Sequence, residues 1–403
     1  MTFLLLLISL CGFVWVAVVV ALRIGLGRHQ PPTVPAEPTV TVLVAARNEA
    51  AHIVHLVQCL IAQDYPTEKL QIVILDDGST DGTAELAIQA SAGAANFRVI
   101  LAPPPPPGVS PKKNALLTGI ATTTGEVILT TDADCRPGPD WVKSIAAYFE
   151  EGVNAVVGHS PLGLQIEKCK LKSVSPPSNN DNFSIFNFQF SFGLVRFDSF
   201  INATVAAGTI GLGVPTTAVG RNFAYRRSAF EAVGGFGSSL SGASGDDDLL
   251  LQRLGSPILN SKFIILNSPV RFSTSPSSFV PASGASSLRD WLRVKRRHLS
   301  AGKRYSPGLI ALATPLYLFN VGLLASLALA ATGLIAYWWP VGWWGVKALA
   351  DGTTLSRAAK LLNEKRWFFT YLVAELISPL IFTLMVPLSM VGKVTWKGRE
   401  LGR

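Results

Sequence analysis

QIVILDDGSTDGT, residues 71–83, decides the architecture. Leu70–Leu75, ending in the apolar run IVIL, predicts a strand, and the acidic, glycine-rich turn after it predicts a change of direction. Ser79 or Asp81 is suited to cap the helix expected from about Ala84. The same rhythm extends both ways. Val40–Ala46 predicts a strand, Glu49–Gln63 has helical spacing, Phe97–Leu101 predicts a strand and Lys112–Ala121 a helix. Glu126–Thr131 predicts another buried strand, whereas the run Pro103–Pro107 can only be loop. Strands alternating with helices predict an α/β fold, a mostly parallel sheet flanked by helices. In such sheets ligands bind at the carboxyl ends of the strands, where the acidic residues lie here.

The chain has 403 residues, 49% of them apolar, more than an ordinary water-soluble enzyme carries. Net charge is +9, and much of the basic excess borders apolar runs. That placement favours a membrane surface and a phosphate-bearing ligand over nucleic acid. Cys11, Cys59, Cys135 and Cys169 form no CxxC pair, so neither a zinc site nor a disulfide framework is indicated. Met1–Ala21 lacks charge and is followed by Arg23 and Arg28, the pattern of an uncleaved anchor with its basic end in the cytoplasm. The linker PPTVPAEP (31–38) follows. The Phe- and Asn-rich stretch Lys170–Gly220 breaks the α/β rhythm and reads either as an irregular insertion or as a lipid-facing acceptor surface. Charge vanishes from Tyr305 to Val346, a basic loop is expected over Lys347–Arg366, and Trp367–Val391 is apolar but interrupted by Glu375, Pro379 and Pro387. The expected organisation is an anchor at 1–25, a catalytic domain at 39–300 and a membrane region at 305–392 with two or three apolar segments. If every segment crosses, the basic loop and the basic tail from Lys393 fall on opposite sides.

Four constellations carry chemistry. Asp132 and Asp134 end a buried strand two residues apart, a pair of oxygen ligands suited to Mg²⁺ or Mn²⁺ or, more plainly, a solvated turn. Asp76-Asp77-Gly78-Ser79 can hydrogen-bond a base or ribose, and can equally cap a helix. Asp246, Asp247 and Asp248 repel one another, so at least one is expected to hold its proton tightly, as suits a general base. Their position before a helix is also one where the dipole favours acids. Arg293–His298 lies beside the apolar C-terminal region as a topology signal or a diphosphate contact.

Taken in order, TVTVLVAARNE, ILDDGSTDGT, KKNALLTGI, VILTTDADC, AVGRNFAYRRSAFEAVGGF, SGDDDLLLQRL and KRRH resemble the family 2 glycosyltransferases of GT-A fold. The resemblance covers residues 39–300 and is to the membrane-bound branch with cellulose, chitin and hyaluronan synthases and ceramide glucosyltransferases. It implies donor-binding roles for Ala46, Arg47, Glu49, Asp77, Lys113, Asp132 and Arg297, and metal binding by Asp132 and Asp134. It implies Asp247 as catalytic base with Asp246 beside it, and Arg221 and His298 on the acceptor side. Val294 and His298 replace the Gln and Trp of the family's QxxRW motif, which concerns acceptor and processivity.

The expected activity is inverting, metal-dependent transfer from a nucleotide sugar, UDP-linked, to a lipid-linked or membrane-proximal acceptor, with the catalytic domain cytoplasmic on an inner or plasma membrane. One or a few transfers are expected, because His298 is a smaller platform than Trp and few segments are available to enclose a glycan channel. A processive polysaccharide synthase is the alternative within the family. A pyrophosphorylase is disfavoured because VAARNEA (44–50) lacks a Gly-rich loop, a dead scaffold because the carboxylates are present, and a transporter because the polar segment is large.

Overall fold

The computed structural model describes residues 1–32, 35–163, 182–242, 245–255, 268–285, 287–365, 367–391, 394–396 and 399–401. Cys169, Lys393 and the first part of the Phe- and Asn-rich stretch lie outside the described residues. Helix α1 (Thr2–Gly25) leads to β1 (Val40–Ala46), α2 (Ile53–Ile61), β2 (Leu70–Asp76), α3 (Thr83–Ala90), β3 (Phe97–Leu101), α4 (Pro111–Ala121) and β4 (Val127–Asp132). Then come α5 (Trp141–Ala146), β5 (Ala155–Gly158), α6 (Asn182–Gly211), β6 (Phe223–Arg226), α7 (Arg227–Ala232), α8 (Asp248–Leu254), β7 (Val270–Ser273) and α9 (Leu288–Leu299). Three long helices close the chain: α10 (Pro307–Ala331), α11 (Trp338–Leu361) and α12 (Trp367–Met390).

The seven-stranded sheet runs β3-β2-β1-β4-β6-β5-β7. Strands β3, β2, β1 and β4 are mutually parallel, and β6 is antiparallel to both its neighbours. The strand period of two divides β1 cleanly. Val40, Val42, Val44 and Ala46 pack with Ile53, Leu56 and Leu60 of α2, while Leu43 faces the opposite layer with Leu116 and Ile120 of α4. Burial on both faces explains why these strands are continuous apolar runs.

Asn222 fastens the second half of the sheet beneath the site. Fully buried, it accepts from Trp141 Nε1 (3.0 Å) and donates to the carbonyls of His159 (2.9 Å) and Ser278 (2.8 Å). Asn222→Leu strands Trp141 Nε1 and the Ser278 carbonyl, at about 1–3 kcal/mol each, and leaves the His159 carbonyl with Val280 N alone (3.0 Å). A fall of about 3–5 kcal/mol in stability is expected, read as a lower unfolding temperature, and an unchanged temperature would contradict this role.

Two segments depart from the sequence expectation. Residues 182–211, expected to be irregular or a lipid-facing surface, form one continuous helix. Phe200, Ala203, Ala207 and Ile210 recur at helical spacing and enter the sheet's core together with Leu355 and Ala358 of α11. The basic loop expected at Lys347–Arg366 is helical through Leu361. Its first cation is internally paired: Lys347 Nζ lies 2.8 Å from both Asp351 and Glu375 and over the Trp15 ring.

α1, α10 and α12 are each long and apolar enough to cross a membrane. α10 runs antiparallel to α1, with Ile8 against Gly322 and Trp15 against Phe319. α11 runs parallel to α1, from the Phe13–Trp343 contact to the Val19–Thr354 hydrogen bond. α12 meets α6 at its start, through Trp367 and Phe200, and α9 at its end, where Arg296 donates to the Leu388 carbonyl. Consequently the end of α1, the end of α11 and both ends of α12 adjoin the sheet domain.

Candidate active site

The turn after β2 folds as its residues dictate, with Gly78 (φ +68°) and Gly82 (φ +83°) in the left-handed region. The N-cap of α3 is Gly82, not Ser79 or Asp81; Asp81 stands one residue before it, its Oδ1 accepting from Thr83 N (3.2 Å) and its Oδ2 from Ala50 N (3.0 Å). Ser79 instead accepts from Asn48 N (3.0 Å) and donates to Asp76, joining the two turns at the carboxyl edge of the sheet. Asp77 is buried there. Arg47 Nη1 donates to its carbonyl (2.7 Å) and lies 3.7 Å from its carboxylate. Ala46 is buried and contributes its carbonyl to Asp77 N (2.9 Å), so its part is played by backbone. Arg47 Nε is buried without a hydrogen-bond partner.

Next to this corner a cleft of about 940 Å³ gathers most of the expected residues. Arg47, Glu49, Asp132, Asp134, Arg221, Asp246, Asp247, Arg297 and His298 all line it. Lys113 does not. It is buried against the carbonyls of Ser239 and Gly242 (3.1 Å to the latter), and burial lowers its pKa to about 8. Of the two adjacent lysines on α4 it is Lys112 that lines the cleft, its Nζ 3.1 Å from Asp132 and 2.9 Å from Asp246. The helical period carried the signal for this. On α4, Lys113 shares the buried face of Leu116 and Ile120, which leaves Lys112 to the sheet edge.

The carboxylates are differentiated by their surroundings. Burial pushes Asp132 upward, but Lys112 and Arg221 outweigh it and hold the group below the usual range. Asp134 goes the other way, raised by burial and by Asp132. Asp246, though buried, is held at about 2 by Lys112 and Lys113. Asp247 is pushed up to about 7 by burial and by Asp248 and Asp246 beside it. Its oxygens accept from Gly220 N (2.9 Å) and Asp248 N (2.8 Å), the latter making it the N-cap of α8, the place the reading of this cluster as a helix start gave it. Asp248 accepts from Thr217 Oγ1 (2.7 Å), Ala218 N (2.9 Å) and Tyr305 OH (2.9 Å), tying the acidic loop to the start of α10.

Arg297 and His298 face the cleft from α9. The recessed position, with Arg297, Arg221 and Lys295 nearby, keeps His298 well below the ordinary imidazole range, hence neutral at pH 7. Arg221 donates to Ser160 Oγ (3.1 Å) and lies near enough to Asp132 to lower its pKa, so it belongs beside the carboxylate pair.

The donor set fits a hard divalent cation. Asp132 and Asp134 are the right oxygen ligands, and among the described residues no salt bridge closes on Asp134. Among those residues no third His, Cys, Asp or Glu completes a protein-only site. One or two carboxylates completed by substrate phosphates and water is the usual arrangement for Mg²⁺.

Residues 41–234 match the family model described as "Glycosyl transferase family 2". A probable glycosyltransferase, YdaM, of Bacillus subtilis is 28% identical over 206 residues, 49% of this chain and 43% of that protein. Beta-monoglucosyldiacylglycerol synthase of Synechocystis is 34% identical over 117 residues, 29% of this chain and 24% of that protein. The chain thus spans less than half the length of these curated relatives. Mannosyltransferase PcManGT from Pyrobaculum calidifontis, solved with GDP-Man and Mn2+, covers 93% of this chain and 98% of its own, with TM-score 0.53 and 19% identity, a likeness of fold.

Proposed function

Since residues 41–234 match the model of glycosyl transferase family 2, we propose that the chain is an inverting, metal-dependent glycosyltransferase. It moves a sugar from a nucleotide donor, UDP-linked, to an acceptor held at the membrane. The observation that carries this reading is the meeting of Asp132, Asp134, Asp246, Asp247, Lys112 and Arg297 in one cleft beside the Arg47–Asp77 corner. Asp77 and Arg47 hold the nucleoside. Asp132 and Asp134 hold Mg²⁺ or Mn²⁺, which when bound neutralises the diphosphate and stabilises it as a leaving group. Lys112 and Arg297 add fixed positive charge on the same side. Asp247 takes the proton of the acceptor hydroxyl, whose oxygen attacks the anomeric carbon from the face opposite the departing diphosphate. Asp246, anchored by Lys112, keeps the acidic loop in place. His298, neutral and with its Nε2 3.5 Å from Arg297 Nη2, offers a ring nitrogen to an uncharged acceptor group. Two relatives' printed names agree with this class: the Synechocystis synthase is named for a glucosylated diacylglycerol, and PcManGT binds GDP-Man and Mn2+. Transfer of one or a few sugars fits an apolar outer cleft better than growth of a polymer.

The activity is tested by following nucleotide release and sugar incorporation from a panel of nucleotide sugars. The distribution of basic residues supports a cytoplasmic domain. With α11 returning and both ends of α12 at the sheet domain, Arg23, Arg28, Lys303, Arg304 and Lys360 stand on one side, as basic residues do at the cytoplasmic face. Pro107 is exposed, whereas Ser110 is buried, so Pro107→Cys is the reporter to use. An impermeant maleimide is expected to label it only after cells are opened, and labelling of intact cells overturns the orientation.

A further inference from the structure

Resting on the transferase reading, we propose that the acceptor is a lipid with a free hydroxyl headgroup, and that its alkyl chain lies in a groove between α10 and α12. The cleft does not stop at the carboxylates. It continues past Trp291 and Val294 to Ile310, Ala313 and Tyr317 of α10 and Phe382, Val386 and Met390 of α12. Neither helix contributes a charged side chain to that lining. Both are long and apolar enough to lie in hydrocarbon, and their outer faces expose Leu312, Leu376, Leu380 and Leu384. A water-soluble acceptor leaves this wall wet, whereas an alkyl chain entering sideways from the bilayer buries it. Tyr317 braces the groove, its hydroxyl donating to the Thr383 carbonyl (3.2 Å) and its ring 6.3 Å from that of Phe382.

The headgroup follows from the polar end of the same cavity. Asp246, Asp247 and Asp248 stand where the groove reaches the site. A carboxylate base has a proton to take from a hydroxyl, whereas a phosphate acceptor arrives already anionic and needs no base; Lys112 and Arg297 in the same lining serve the donor diphosphate in the transferase reading. The reacting hydroxyl loses its proton to Asp247, its oxygen bonds the anomeric carbon, and the bond to the diphosphate breaks.

The test uses the full chain in phosphatidylcholine vesicles containing hexadecanol with a diazirine in mid-chain. Irradiation is expected to label the segments holding Ala313, Tyr317 and Val386, and excess unlabelled hexadecanol is expected to suppress that labelling. Ala313→Trp and Val386→Trp should each lower it at least tenfold while nucleotide-sugar affinity stays within twofold, a sign that both fold. Leu376→Trp on the outer face should change neither. Labelling spread over the outer faces and insensitive to competitor overturns the groove and leaves the transferase reading standing. Stronger competition by hexadecyl phosphate than by hexadecanol overturns the hydroxyl headgroup. Groove labelling by a chain that binds no nucleotide sugar overturns the reading on which the proposal rests.

Discussion

Asp134→Ala is expected to lower sugar transfer by about 10²–10³-fold, the scale of several kcal/mol of lost charge stabilisation at a diphosphate. The fold should survive. Asp134 is raised by burial and by Asp132, so its charge is a burden on the folded protein, and its removal relieves that strain. An unchanged or slightly higher unfolding temperature beside a near-complete loss of transfer separates a ligand role from a structural one. EDTA should reproduce the loss in the unaltered chain, and added Mn²⁺ or Mg²⁺ should reverse it. Asp132→Ala is a less clean probe, because it also strips Lys112 of a partner at 3.1 Å. Full transfer in EDTA would show that the carboxylate pair holds no essential cation.

The second large effect concerns proton transfer. Asp247→Asn keeps size and polarity but cannot accept a proton, and loss of a positioned base costs about 10²–10⁴ in rate. Asn has one oxygen for the two amides that Asp247 satisfies, Gly220 N and Asp248 N, so a small stability loss is expected as well. Nucleotide-sugar affinity should be retained. The pH profile supplies a sharper sign. With Asp247 pushed up to about 7, the base is protonated and idle below that pH and becomes competent above it. Transfer should therefore rise with pH through about 7 in the unaltered chain. That limb should be absent from the residual activity of Asp247→Asn. If Asp246→Asn is inactive while Asp247→Asn is unimpaired, the roles of the two acids are reversed.

The sheet was legible because burial on both faces leaves unbroken apolar runs, and Val40–Ala46, Leu70–Asp76 and Val127–Asp132 are such runs. The acids at their ends were legible because parallel strands deliver their carboxyl ends to one edge. Adjacent lysines were harder. Lys112 and Lys113 are chemically identical, and only the phase of α4 separates a cleft residue from a buried clamp on the 239–242 carbonyls. α11 was hidden because Lys347 reads as a loop or surface charge, yet it is buried between Asp351 and Glu375, partners that approach only once the helices pack. α6 was hidden because alternating Phe and Asn obscure the helical period until Phe200. The outer half of the cleft draws on α9 (Leu288–Leu299), α10 and α12, all far along the chain from Asp132 and Asp134, and no local pattern announces such an assembly.

The most direct measurement of the central claim incubates the purified full chain in lipid vesicles with a panel of nucleotide sugars and Mn²⁺, beside the Asp247→Asn variant. Nucleoside diphosphate release and sugar in the lipid extract are followed together. The expected result is release from one donor or a few, matched mole for mole by sugar in the extract and abolished by the substitution. Release no greater than that of Asp247→Asn with every donor would contradict the assignment of this cleft to glycosyl transfer.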